Sequence, residues 1–228
     1  MQFFKIDGPL YRVLDKLTNL LILNLIFLLC CLPIVTIGPA LTAMYYVNIK
    51  VLRDEEPSSV IKCFFRSFKE NFKQGLWLGL GVLLIAALLI FDLHALTSVV
   101  DIPAPIAQVL IFISVFLLIA LLLISLYLFA ILAQFDNTSR ELIKWSAILA
   151  IRHLPVTLIS AVLVALPLGI FMVLPDFFLR VMVPVMVLIG FSGTSYLQSL
   201  FYVQIFDFYI PKTETDEEPD EDIELDEE

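Results

Sequence analysis

Few side chains in this sequence could do acid–base, nucleophilic or metal chemistry, and their spacing joins none of them into a reaction centre. Histidine occurs twice, at His94 and His153, too few for a histidine-based metal cluster. The three cysteines give no CxxC spacing: Cys30 and Cys31 are adjacent in an apolar run and Cys63 stands apart, so all three read as buried or lipid-facing thiols. Asp92 and His94 are two apart in "FDLHAL" and could hydrogen-bond to each other, as polar partners near a membrane boundary rather than as an acid–base couple. There is no HExxH and no phosphate-binding loop. "NTS" at 137–139 matches a glycosylation acceptor only by chance, because it falls in a loop expected inside the cell. The sequence therefore predicts no enzymatic activity, no catalytic residue, no metal site and no cofactor.

The elements that carry these residues are membrane segments. Of 228 residues, 60% are hydrophobic and 16% charged, more apolar surface than one aqueous core of this size can hide. The apolar residues come in blocks of about 20 or more, the length that crosses ~30 Å of hydrocarbon. The fold class expected is all-α, a polytopic helical membrane protein with five to six membrane segments and two cytoplasmic amphipathic helices. The net charge of −9 arises in a tail: "TETDEEPDEDIELDEE" holds eleven acids and no base, and the rest of the chain has 12 acids against 14 bases. Such a like-charged stretch cannot bury enough surface to fold. It points to a disordered acidic tail over 211–228 behind a helical membrane domain over 1–210, and no part of the composition suggests a nucleic-acid partner.

Segments are expected at about 17–36, 39–53, 74–96, 105–135, 155–175 and 180–207, with amphipathic helices at about 58–73 and 139–153. Bases concentrate at 50–73 and 136–155, so both loops belong on the cytoplasmic side. If residues 17–37 cross once, ten bases lie inside and four outside; if 39–53 returns as a second short segment, the division is thirteen to one. The second arrangement places both termini in the cytoplasm. It makes "CCLPIVTIGPALTAMYY" a hairpin, with Pro33 ending one helix, Gly38 turning, Pro39 opening the next, and Thr36 available to cap it.

Three features read as contact surfaces. Gly38 and Thr42, like Pro39 and Ala43, stand four apart, so the helix after the break opens with a narrow face. "GLWLG" places Gly75 and Gly79 at the spacing that lets another helix approach, and Gly190 sits among Ser192, Thr194 and Ser195 in the last segment. In "SVIKCFFRSFKENFK", Ile61, Phe64, Phe65, Phe68 and Phe72 form an aromatic stripe beside a basic one of Lys62, Arg66, Lys69 and Lys73. That helix can lie on the bilayer with its cations on anionic lipid, or pack its rings on the bundle. Residues 139–153 repeat the pattern more weakly. An offset of 82 pairs Tyr45 with Tyr127, Asp54 with Asp136 and Ile61-Lys62 with Ile143-Lys144, which suggests a tandem repeat.

"LPIVTIGPALTAMYYV" (32–47), "RDEE" (53–56) and "FFRSFKENFKQG" (64–75), in that order and spacing, resemble the YesL-type family of bacterial membrane proteins. "LIKWSAILAIRHLPVTL" (142–158) is similar to a later element of that family, and the resemblance runs over roughly residues 1–208. It implies a Gram-positive cell membrane and a role beside carbohydrate ABC transporters, and it brings no site residues. Two readings follow: a non-enzymatic accessory or scaffold for carbohydrate uptake, with transporter subunits or further copies of itself as partners; or a small carrier or channel with a cavity at the break around 33–39, lined by Asn24, Asn48, Gln108 and Gln134.

Overall fold

The computed structural model describes residues 9–53, 59–98 and 103–209, with side chains from residue 14 onward. The acidic tail and the Asp54 of the suggested repeat lie outside the described residues. The chain is all-α, without a strand among the described residues. Helix α1 (Pro9–Cys30) and a 3₁₀ turn (Ile34–Thr36) precede α2 (Ile37–Leu52) and α3 (Val60–Glu70). Then come α4 (Phe72–Ser98), α5 (Ala104–Leu132), α6 (Ser139–Arg152) and α7 (Leu154–Val173). The last helix, α8 (Pro175–Tyr209), is continuous but widens into π-helix at Phe178–Met182 and Met186–Gly190. Five described helices are long and apolar enough to cross a membrane: Ile34–Leu52, α4, α5, α7 and α8.

Prolines and hydroxyls mark the ends. α1 stops at Cys30, three residues before Pro33, which has no N–H to continue a ladder. The Thr36 hydroxyl reaches the carbonyls of Cys30 and Pro33 and makes no cap bond to α2. Its task is thus to satisfy orphaned carbonyls behind it, the reverse of the cap that the sequence suggested. Pro105 and Pro155 sit in the first turns of α5 and α7, where a missing N–H costs nothing.

Four of the five long helices are only 11% buried over their most apolar stretch, whereas Ile34–Leu52 is 56% buried. Leu84, Leu88 and Phe91 of α4, Phe112 and Phe116 of α5, and Met172 and Val173 of α7 point outward, as lipid-facing side chains do. Close packing gathers instead at the end of the bundle where α3 and α6 lie, called here the basic side. There the whole run Leu126–Ala133 is buried with Tyr45, Ile49, Tyr202 and Phe206. A second cluster joins Leu23 and Phe27 of α1 and Ala40, Ala43, Met44 and Val47 of α2 to Val60 and Phe64 of α3. Both ends of α2 meet this one end of the α4–α5 pair. Gly38 lies against Gly75 and Gly79, near the start of α4, and Arg53 just past α2 bonds Gln134 just past α5.

The units α2–α3–α4 and α5–α6–α7 share a register. Val60, Phe64 and Ser67 are the buried residues of α3, and Leu142, Ser146 and Leu149, each 82 positions later, are buried in α6. The same offset takes the C-cap Asn71 of α3 to His153, the C-cap of α6, and the first residue of α4, Phe72, to that of α7, Leu154. Tyr45 and Tyr127, related in the same way, both pack on Tyr202, with ring centroids 6.1 and 4.8 Å from it.

Candidate functional site: a polar seam and the basic-side surface

Gly38, Gly75 and Gly79 form one contact. A Cβ built on Gly79 would lie 2.9 Å from the Gly38 Cα, and one on Gly75 would lie 3.1 Å from the Pro39 Cα. The small residues after the break and the GxxxG of α4 are therefore each other's partners, with backbone against backbone. Thr42 and Ala43 continue the buried face, Thr42 donating to the Gly38 carbonyl at 3.0 Å. Gly190 is placed differently: the space a side chain would need there is filled by Met186 of its own helix. Pro33 lies on the exposed outer part of the break with Leu32 and Ile34, which point outward rather than into a cavity.

Polar side chains join α1 and α2 to α8. The Asn24 amide donates to the carbonyls of Met186 (3.0 Å) and Val187 (2.7 Å), and its oxygen accepts from the Ser192 N–H at 2.9 Å. These backbone groups belong to the second π segment and the turn after it. A single asparagine thus bonds three backbone groups of α8 at once. Asn48 donates to Ser192 O and Ser195 Oγ, at 3.3 and 3.0 Å. The Tyr45 hydroxyl donates to Gln198 Oε1, and the Gln198 amide donates to the Ser160 carbonyl on α7 at 3.2 Å. Tyr127 and Thr157 share a hydrogen bond of 3.1 Å between α5 and α7. The seam therefore holds five helices through groups that satisfy one another. Asn24 and Asn48 are consumed in it, Gln134 accepts from Arg53 at 3.1 Å, and Gln108 is exposed near the start of α5, so the four do not line one cavity. Sequence reasoning missed Ser192 as the residue on which both asparagines converge. The legible signal was an asparagine on each of two apolar helices facing a serine-rich third.

Charged groups sit at the margins. Arg53 bonds Asp207 at 2.6 Å, tying the end of α2 to the end of α8. Asp92 accepts from Ser114 on α5 and is not bonded to His94, so the pairing suggested by their spacing gives way to an inter-helix one. All three cysteines are half-buried, and the described residues hold no group of three or more potential metal ligands.

The aromatic stripe of α3 divides. Phe64 is buried in the core, while Ile61, Phe65 and Phe72 face outward beside Lys62, Arg66, Lys69 and Lys73, all exposed. Arg66 pairs with Glu70 at 2.9 Å, and that hydrogen bond raises the guanidinium pKa above its ordinary value. On α6 the outward residues are Ile143, Trp145, Ile148 and Ile151, interspersed with Lys144 and Arg152. Each amphipathic helix thus buries one face in the bundle and offers a mixed apolar and cationic face outside, the composition that rests in a headgroup layer.

Comparison with known proteins gives a family and no activity. The family described as "Protein of unknown function, DUF624" matches residues 20–93, which contain the glycine contact and α3. The uncharacterized protein YesL of Bacillus subtilis (strain 168) is 30% identical over 146 residues, 64% of this chain and 67% of that protein. The uncharacterized protein YteU of the same strain is 31% identical over 176 residues, 74% of this chain and 75% of that protein. No solved structure matches. Since YesL and YteU are both matched over two thirds or more of their length, the chain belongs to the YesL-type, DUF624 family of membrane proteins.

Proposed function

We propose that this protein is a non-enzymatic scaffold of the bacterial cell membrane. Its basic side and both termini face the cytoplasm, and it assists a carbohydrate uptake system. The observation that carries the reading is how the described polar groups are used. Asn24, Asn48, Tyr45, Gln198 and Ser192 bond to one another and to backbone, so they hold helices together rather than face a reactant. What is left to act outward is the α3–α6 surface, with its cations over anionic lipid and its apolar residues available to a transporter subunit or a second copy. The orientation follows from the bases on that side; the carbohydrate role follows from the family resemblance. Crosslinking mass spectrometry in native host membranes tests the reading. Crosslinks from Lys62, Lys69, Lys73 or Lys144 to a transporter subunit are the expected result, and a lone protein without any such partner would sink it.

A second reading, a small solute carrier, draws on a crevice of about 180 Å³ between α2, α7 and α8 rather than on the break. Tyr45, Thr194, Ser195 and Gln198 give it a polar wall, and it lies beside Pro167 inside α7. Proline in mid-helix frees a carbonyl and weakens the ladder, as a moving helix would need. Flux of sugars or ions into proteoliposomes above that of empty vesicles is what this reading requires.

A further inference from the structure

The cleft enclosed by α5, α6 and α8 on the basic side is the strongest unassigned feature. Its volume is about 210 Å³, and its floor is Ile131, Leu149 and Phe206. That is below the ~300–1,000 Å³ of a pocket that encloses a small molecule, so it takes part of a ligand only. Trp145 and Tyr209 stand on its rim with ring centroids 6.5 Å apart. The Arg152 guanidinium lies 5.7 Å from the Tyr209 ring centre, and the His153 ring lies 6.3 Å from it. Tyr209 Oη on this rim, and His153 Nε2 of the neighbouring ring behind it, are buried and make no hydrogen bond. A native structure rarely leaves buried donors of this kind unpaired, and each costs about 1–3 kcal/mol when it does.

An apolar floor, an aromatic rim, one cation and two unpaired polar atoms select an amphiphile with an anionic head. Position selects its source. The cleft opens where α5 and α8 leave the apolar region and α7 enters it, between Trp145 and Tyr209, residue types that settle at headgroup depth. Ile148 and Ile151 beside it are exposed, as on a helix resting in lipid.

We propose that this cleft holds one anionic phospholipid, its phosphate on Arg152 and Tyr209 and the upper part of an acyl chain over Ile131, Leu149 and Phe206. The first repeat unit provides an internal control. In the register of 82 residues, Glu70 stands where Arg152 stands and Asn71 where His153 stands, so the cation is particular to the second unit and is not a by-product of duplication. The site is independent of the scaffold role and separate from the basic stripe of α3.

The test is native mass spectrometry of the full chain released from nanodiscs of mixed phosphatidylglycerol and phosphatidylcholine. Wild type is expected to retain one phosphatidylglycerol per chain, and Arg152→Gln to lower its preference about fivefold, as one cation near a membrane surface is worth. Arg152→Lys should recover most of the preference and Glu70→Gln should leave it unchanged. Lys62→Gln with Lys69→Gln and Lys73→Gln should leave the retained lipid in place. Equal retention by wild type and Arg152→Gln overturns the proposal, as does loss of the lipid in the α3 variant alone. A photocrosslinker in place of Trp145 should capture lipid; capture of residues 212–228 or of a second copy in its stead also overturns it.

Discussion

A methyl group at Gly38 would fall on the Gly75 carbonyl oxygen and lie 3.0 Å from the Gly79 Cα. Because both obstacles are backbone, neither can rotate away, and the helices must separate. Gly38→Ala should therefore lower thermal stability in detergent by more than the ~1–3 kcal/mol of ordinary overpacking, and Gly79→Ala by somewhat less. Gly81→Ala, with nothing within 4 Å, should be neutral, which makes it the control for helix propensity. A melting curve for each variant decides; equal melting of Gly38→Ala and Gly81→Ala would refute the contact. Asn24 is the second sensitive residue. Asn24→Leu removes three bonds at once, two to carbonyls and one to an N–H of α8. Single polar contacts inside membranes average only about 0.6 kcal/mol, but these belong to one helix ladder, and a loss of about 2–3 kcal/mol is expected. The residues of the glycine contact could be singled out from sequence, since GxxxG and the Gly-Pro break are local patterns. That they meet each other was not legible, because a small-residue face states only that something comes close.

At the level of elements, α6 has the clearest start. Glu141 accepts from the Thr138 N–H at 3.1 Å and from its hydroxyl at 2.8 Å, a capping box that closes the first turn. These hydrogen bonds hold the Glu141 carboxyl below its ordinary value of 4.5. A carboxyl depressed in the folded state stabilises above its unfolded pKa, and the contribution disappears as pH falls through the folded value. Hydrogen-exchange protection of the first turn of α6 should therefore weaken below about pH 4.5 in wild type. Glu141→Gln, which keeps an acceptor without a titrating group, should lose that pH dependence; identical profiles would show that the cap is idle. The four lipid-facing helices were legible because a hydrocarbon environment imposes one rule along their whole length. The nature of α2 was not: Ile34–Leu52 passes the same apolar criterion yet is mostly enclosed by protein. The hint lay in Thr42, Tyr45 and Asn48, polar groups on a helix with nowhere in lipid to put them. The π segments of α8 were also unannounced, although Pro184, which lacks an N–H, sits between them.

The molecule as a whole is an outward-facing set of long helices closed at one end by a packed layer of α2, α3 and α6. Charge counting predicts that this layer faces the cytoplasm, and labelling tests it. Single cysteines at Asp101 and at Arg140, on a background without native cysteines, should react with an impermeant maleimide from outside and only after permeabilisation, respectively. A cysteine at Lys5 should behave like Arg140, and its labelling from outside would overturn the cytoplasmic placement of the N-terminus. The family scale was legible from three local blocks in order. The activity was not, because Asn24, Asn48, Tyr45 and Gln198, the polar residues inside the apolar helices, are engaged in assembly.

The seam also sets a clock on synthesis. Asn24, Tyr45 and Asn48 enter the membrane early, yet their partners on α8 lie about 150 residues later in the chain. At roughly 5–20 residues per second, translation leaves these groups waiting for about 8–30 seconds. During that interval α2 cannot take up its final surroundings, and a helix with two unmatched polar side chains prefers the shelter of an insertase or of the headgroup layer to open lipid. The last helix therefore completes the fold of the first two, and chains truncated before Ser192 should be cleared by membrane proteases rather than accumulate as partial bundles.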